Sequence, residues 1–269
     1  MVSSRCANPD PLAERVAQGV ALAHCVARRN FQSVVQSGFL FSQLELVRIG
    51  VFKIDAANPT TEILLGTADD VFTYAGPCRY QKPGLPLGVG LLFKAEVEHK
   101  RTDRMVATPF DSGAVRHHLR PSDSLPDQLT FLRQHELPVP EYRQLLRYYL
   151  SAFFAHPSSY LRGMDPDRTC PIAVCGGDQR RWTFEVRFPN RISIHNDLLA
   201  VFRPKSLAGL DWVMRQSAAW RAAGVQLPPP YDSPDGFDSG QLLNESVLSQ
   251  YAKKCSGLFS LLSEFSCLV

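Results

Sequence analysis

The sequence predicts a mixed α+β fold. Short runs in which apolar residues alternate with polar or small ones read as strands, stretches with apolar residues three and four apart read as helices, and Gly/Pro punctuation separates them. Residues 19–25 form a short apolar run that fits a buried strand ending at His24. The following helix carries Phe31, Val34 and Val35 at helical spacing, and Gly38 is placed to stop it, because glycine takes the left-handed conformation past a last turn without a Cβ penalty. Phe39-Leu40 then re-enters the core. Residues 55–70 are polar and read as loops, after which Val71-Phe72-Thr73-Tyr74 is a strand turned by Gly76-Pro77. Residues 88–97 form another strand with Leu91, Phe93, Ala95 and Val97 on one face. Gly88 and Gly90 open that strand, whereas a dinucleotide-binding fold needs its glycines after a strand and before a helix, so that fold is excluded.

From residue 99 the pattern changes to polar loops and two helical stretches, near 127–135 and 141–155, separated by Pro138 and Pro140. Residues 102–168 therefore read as a helical insertion, with Thr108-Pro109-Phe110-Asp111-Ser112-Gly113 either a specific loop or a plain turn. Strands are expected at 170–175, 182–188 and 198–202, and an amphipathic helix at 206–223. The division that follows is a domain over 1–227, a Pro/Gly-rich linker over 228–240, and a C-terminal helical extension over 241–269.

Composition narrows the function. With 45% hydrophobic and 20% charged residues the chain can bury a sizeable core, and a net charge of +3 restricts any nucleic-acid contact to a local patch. No apolar run approaches the length of a bilayer span, and residues 1–15 lack the apolar core of an export signal, so the expectation is a cytoplasmic protein without a membrane partner. Seven cysteines at scattered positions, an odd number, fit reduced thiols better than a disulfide framework. Cys170 and Cys175 with His156 or His195 form no specific ligand spacing, and no metal is assigned. A cysteine hydrolase is disfavoured because His24 and Cys25 are strand neighbours that point to opposite faces.

The most informative residue is Glu185, in Trp182-Thr183-Phe184-Glu185-Val186-Arg187-Phe188 after the loop Gly176-Gly177-Asp178-Gln179-Arg180-Arg181. Alternation sets this carboxylate in a half-buried strand, where an ionisable group needs a reason. One reason is a solvent-facing position beside Arg187 or Arg181, and the other is chemistry.

Two upstream segments favour chemistry. Leu22-Ala23-His24-Cys25-Val26 with the helix to Gly38-Phe39-Leu40, then Val71-Phe72-Thr73-Tyr74-Ala75-Gly76-Pro77-Cys78-Arg79-Tyr80, then Glu185-Val186-Arg187-Phe188-Pro189-Asn190-Arg191-Ile192, resemble in order the three motif blocks of the ADP-ribosyltransferase fold. They are most similar to the DarT-like family of bacterial nucleic-acid ADP-ribosyltransferases, over about 40 of the 269 residues. In that family the arginine of the second block directly follows the proline, whereas here Cys78 intervenes before Arg79.

The resemblance implies a split, twisted mixed β-sheet and transfer of ADP-ribose from NAD, used as a substrate without a metal, with nicotinamide released. It implies a bacterial toxin or antiviral effector in the cytoplasm, restrained by an antitoxin or regulatory partner. Glu185 would be catalytic, and His24, Tyr74, Arg79 and Tyr80 would hold NAD in one cleft with it. The chemistry suits these residue types: a carboxylate stabilises positive charge developing on the ribose, a neutral imidazole bonds a hydroxyl, an aromatic face meets the nicotinamide ring, and a guanidinium forks onto the diphosphate. Arg180, Arg181 and Arg191, with Trp182 suited to stack on a base, would bind a DNA or RNA acceptor. Two other readings stay open: transfer to a protein acceptor, and a non-catalytic binding module on the same fold.

Overall fold

A computed structural model describes residues 11–76, 88–94, 97–98, 105–139, 141–161, 166–167, 184–194, 197–204 and 230–233. Helix α1 (Pro11–Gly19) leads into β1 (Leu22–Ala27), α2 (Arg28–Ser37), β2 (Phe39–Phe41), α3 (Gln43–Arg48), α4 (Thr61–Leu64) and β3 (Asp70–Ala75). Next come β4 (Gly88–Phe93), β5 (Val106–Thr108), a π-helix (Val115–Leu119), α5 (Leu125–Gln134), β6 (Leu137–Pro138), α6 (Glu141–Phe153) and α7 (Pro157–Leu161). The last described elements are β7 (Glu185–Pro189), β8 (Arg191–Ser193), β9 (Leu198–Pro204) and β10 (Pro230–Ser233).

Local chemistry accounts for the boundaries. Gly38 ends α2 at φ 75° with its N–H on the Val34 carbonyl at 2.9 Å. Ser124 caps α5 by accepting the Asp127 N–H. In β3 the burial alternates, with Val71, Thr73 and Ala75 inside and Asp70, Phe72 and Tyr74 half-buried, which gives the strand two distinct faces.

Among the described residues eight strands form one mixed sheet in the order β10-β9-β4-β1-β3-β7-β5-β6, antiparallel except for the parallel pair β9 and β10, while β2 and β8 form a separate two-stranded ribbon. The sheet is split. β1 follows β4 through six pairs, from Leu22↔Phe93 to Ala27↔Gly88, and β3 follows β7 through five, from Asp70↔Pro189 to Tyr74↔Glu185. Between them β1 and β3 share only Leu22↔Ala75 and Ala23↔Tyr74, so the halves fork beyond those residues. Helices α1, α6 and α7 cover one face, where Val16, Tyr142, Leu146, Leu150 and Tyr160 meet Val186 and Phe188 in the main core. A smaller core of Leu65, Phe110, Ala114, Val115, Leu119 and Leu132 forms around α5 and the π-helix.

Several expectations change. β1 continues to Ala27, so His24 lies within the strand, because β4 goes on pairing past it. The stretch expected as a helical insertion also supplies β5 and β6, whose three and two residues are too short for a periodic signal. Four residues of the expected linker, Pro230–Ser233, form β10, an edge strand held through its backbone, where proline is tolerated. Helix α1 was unread among the mixed residues near the N-terminus, although Ala13, Val16, Ala17 and Val20 are buried at helical spacing. The strand expected at 170–175, the helix at 206–223 and the extension over 241–269 lie outside the described residues.

β7 departs most from a half-buried alternating strand, because Glu185, Val186, Arg187 and Phe188 are all buried. Arg187 is 0% exposed. Its guanidinium meets Asp70 Oδ2 at 3.3 Å and Glu136 Oε1 in a close pair, and its Nε lies 3.6 Å from Glu185 Oε1. A dehydrated guanidinium is tolerable only with such compensation, and removing one side of the arrangement strands the other. Arg187→Leu is therefore expected to cost about 3–5 kcal/mol in urea unfolding, with part recovered when Asp70→Asn and Glu136→Gln are added. Wild-type stability in the single variant would refute this.

Candidate active site

Register builds the site. Tyr74 on β3 and Thr108 on β5 are both cross-strand partners of Glu185, so the three form a row on one face of the sheet. The chain leaving β5 is tied by the Thr108 hydroxyl, which donates to the Phe110 carbonyl at 2.7 Å. Phe110 is buried and stacks on Phe131 at 5.7 Å, and this anchors the loop that follows. From that loop the Ser112 N–H donates to Glu185 Oε2 at 3.2 Å, and Asp111 Oδ2 accepts from the Tyr74 hydroxyl at 3.3 Å.

Glu185 is 1% exposed, and Oε1 has no hydrogen-bond partner among the described residues. Burial pushes its pKa up to about 8, the Asp111 charge adds to the rise, and Arg187 and the Ser112 bond oppose it. At neutral pH the carboxyl is therefore mostly protonated. Desolvation sets the direction, since the nearby guanidinium is shared with Asp70 and Glu136.

His24 sits at the fork. Its Nδ1 lies 2.6 Å from the Phe72 carbonyl, a group beyond the last β1–β3 pair. A carbonyl only accepts, so Nδ1 carries the proton and Nε2 is the acceptor nitrogen. Burial lowers the His24 pKa, with the Phe72 bond opposing, which favours the neutral ring.

The structure brings Tyr74 and Glu185 into one row, with Ala23 of β1 next in register. His24 is one residue out of phase with Ala23 and turns toward β3 where pairing has ceased. Arg191 lies past the far end of β7, beyond a left-handed turn at Asn190 (φ 64°), with its guanidinium over the Phe39 ring at 4.7 Å. Arg79, Tyr80, Arg180, Arg181 and Trp182 lie outside the described residues. Sequence reasoning assigned no role to Asp111 or Ser112, although the Asp-Ser-Gly loop was a visible signal, and it named Arg187 only as a neighbour of Glu185 in a solvent-facing alternative, whereas the guanidinium is buried.

Among the described residues no group of three or more His, Cys, Asp or Glu side chains is arranged to hold a metal ion, and no described helix is long and apolar enough to cross a membrane.

No family model matches the chain, and no curated protein matches it significantly. Among solved structures the fold is similar to that of DarT from Thermus sp. 2.9 in complex with NAD+, with a TM-score of 0.48 and 11% identity over 80% of this chain and 96% of that one. It is also similar to the same protein in complex with ADP-ribosylated ssDNA, with a TM-score of 0.46 and 10% identity over 80% of this chain and 94% of that one. The likeness is one of fold outline and transfers no residue role.

Proposed function

We propose that this chain transfers ADP-ribose from NAD to a nucleic-acid acceptor, with release of nicotinamide. The observation that carries the reading is a buried carboxyl, Glu185, in register with Tyr74 beside the fork of a split sheet where His24 holds a neutral ring. The order of the three sequence blocks supports the same reading.

Bound NAD would supply a pyridinium leaving group whose departure builds positive charge on the ribose. The residues fit such a substrate. Glu185 Oε1, which has no hydrogen-bond partner among the described residues, is suited to accept a hydrogen bond from a ribose hydroxyl, and the ionised carboxylate stabilises developing positive charge while the Ser112 N–H holds Oε2. Tyr74 supplies an aromatic face next to that carboxyl, and His24 Nε2 supplies an acceptor for a second hydroxyl. With Glu185 only 1% exposed, productive binding requires the atoms over its carboxyl to move. Arg79 and Tyr80 are assigned to NAD by their place in the second block, and Arg180, Arg181 and Trp182 before the glutamate block, with Arg191 in it, are assigned to a DNA or RNA acceptor. A cytoplasmic toxin or antiviral effector restrained by an antitoxin is the biological role that accompanies this reading.

Glu185→Gln is expected to keep the fold and NAD affinity and to lower kcat for nicotinamide release by about 10²–10³-fold, because the amide keeps the shape and removes the charge. Near-normal turnover would remove Glu185 from the chemistry.

The pH dependence has a definite sign. Because the carboxyl titrates at about 8 rather than near 4.5, its ionised form appears only as pH rises through that value. In wild type kcat/KM, which reports the free enzyme, should climb about tenfold per pH unit below the inflection and level off above it. A profile already flat by about pH 6 would contradict an ionised Glu185 as the working form.

If Arg180 and Arg181 contact phosphates, modification of single-stranded acceptors should fall with added salt, and Arg180→Ala with Arg181→Ala should reduce the log–log slope by about 0.7 per lost contact. NAD hydrolysis without acceptor should change far less. A clear preference for protein acceptors over DNA and RNA would overturn the nucleic-acid assignment.

A further inference from the structure

Asp111 is a second carboxylate at this site, 7% exposed, and the reaction outlined above does not use it. It is held firmly. Its carbonyl accepts the Ala114 N–H at 2.9 Å, the Ser112 carbonyl accepts the Val115 N–H at 3.1 Å, and the preceding Phe110 is fully buried. Its Oδ2 accepts from the Tyr74 hydroxyl at 3.3 Å, and the next residue donates its N–H to Glu185 Oε2 at 3.2 Å. At position 113 a Cβ would stand 3.1 Å from Asp111 Oδ1, so glycine there leaves the carboxylate its room.

We propose that Asp111 is the positioning residue of this site: it fixes the Tyr74 ring through the phenol, and from the loop that also bonds Glu185 its charge opposes ionisation of that carboxyl, so that the two groups titrate as a coupled pair. The catalytic consequence rests on the ADP-ribosyl-transfer reading, whereas the pairing itself does not.

The charges around Glu185 explain why a proton is retained. On β7 it faces Arg187 at 3.6 Å, across the strands its partners are Tyr74 and Thr108, and from the loop it meets the Ser112 N–H and the Asp111 charge. The one guanidinium also serves Asp70 and Glu136, and Glu136 is in turn bonded by Arg133 at 2.7 Å. Two further carboxylates therefore compete for Arg187, and the charge left for the Glu185–Asp111 pair does not keep both ionised in a dehydrated site. The direction of the Glu185 shift, with the Asp111 charge as its second cause after burial, agrees.

The test is a carbon NMR titration of the full-length chain labelled at the Asp and Glu carboxyl groups, with the Glu185 signal identified by its loss in Glu185→Gln. In wild type the Glu185 and Asp111 signals should each show both inflections of a coupled pair. In Asp111→Asn the Glu185 inflection should fall by about one pH unit, and the kcat/KM profile for nicotinamide release should move the same way. Independent single-step titrations in wild type would overturn the pairing even if the variant failed to fold. An unmoved Glu185 titration in folded Asp111→Asn would also overturn it. A chain that showed the coupled titration but released no nicotinamide would uphold the pair while removing the transferase reading.

Discussion

A guanidinium with no contact with water is the constraint around which this half of the molecule is organised. Arg187 stands in the middle of β7 and draws in Asp70 from β3 and Glu136 from the turn between α5 and β6. Dehydrating the cation costs several kcal/mol before compensation, so the geometry that returns it is tightly specified. Glu185 lies two residues back along the same strand and inherits that precision, since its carboxyl meets the same guanidinium at 3.6 Å.

The fork in the sheet has a complementary role. Where β1 and β3 stop pairing, backbone groups that a continuous sheet would satisfy internally need other partners. The Phe72 carbonyl obtains one from the His24 ring, and that bond determines which imidazole nitrogen holds the proton. A break in regular structure thereby prepares a neutral side chain with a defined acceptor nitrogen. The adjoining pairs keep Tyr74 and Glu185 side by side, so the opening and its lining come from one feature of the topology.

The segment from β5 to β6 turns this pair of side chains into a cluster. A core of six residues, five of them its own and the sixth Leu65, at about 1.5–3 kcal/mol for each large apolar side chain removed from water, holds the loop at Asp111 and Ser112 as part of the body of the protein. The loop delivers an N–H donor to one oxygen of Glu185 and a negative charge to its surroundings. These two contributions act on the carboxyl proton in opposite directions. Burial decides the outcome and keeps the group largely protonated at neutral pH until its surroundings change.

The sequence by itself determined the elements whose causes are local. Gly38 ended α2, the alternation at 71–74 made β3, helical spacing made α5 and α6, and a carboxylate within an alternating apolar strand marked Glu185. The split sheet was implied by the resemblance of the blocks around His24, Tyr74 and Glu185 to those of the ADP-ribosyltransferase fold. Tertiary structure decided what each of these residues meets. An arginine alternating with phenylalanine and valine reads as solvent-facing until carboxylates 51 and 117 residues away arrive to neutralise it. Asp111, set in an ordinary turn sequence, becomes part of a buried cluster only through the β5–β7 register. Strands of two to four residues such as β5, β6 and β10 show no period and exist only because a neighbour offers them an edge. Propensity and periodicity act over a few residues, whereas burial and charge compensation depend on distances that only the folded chain sets.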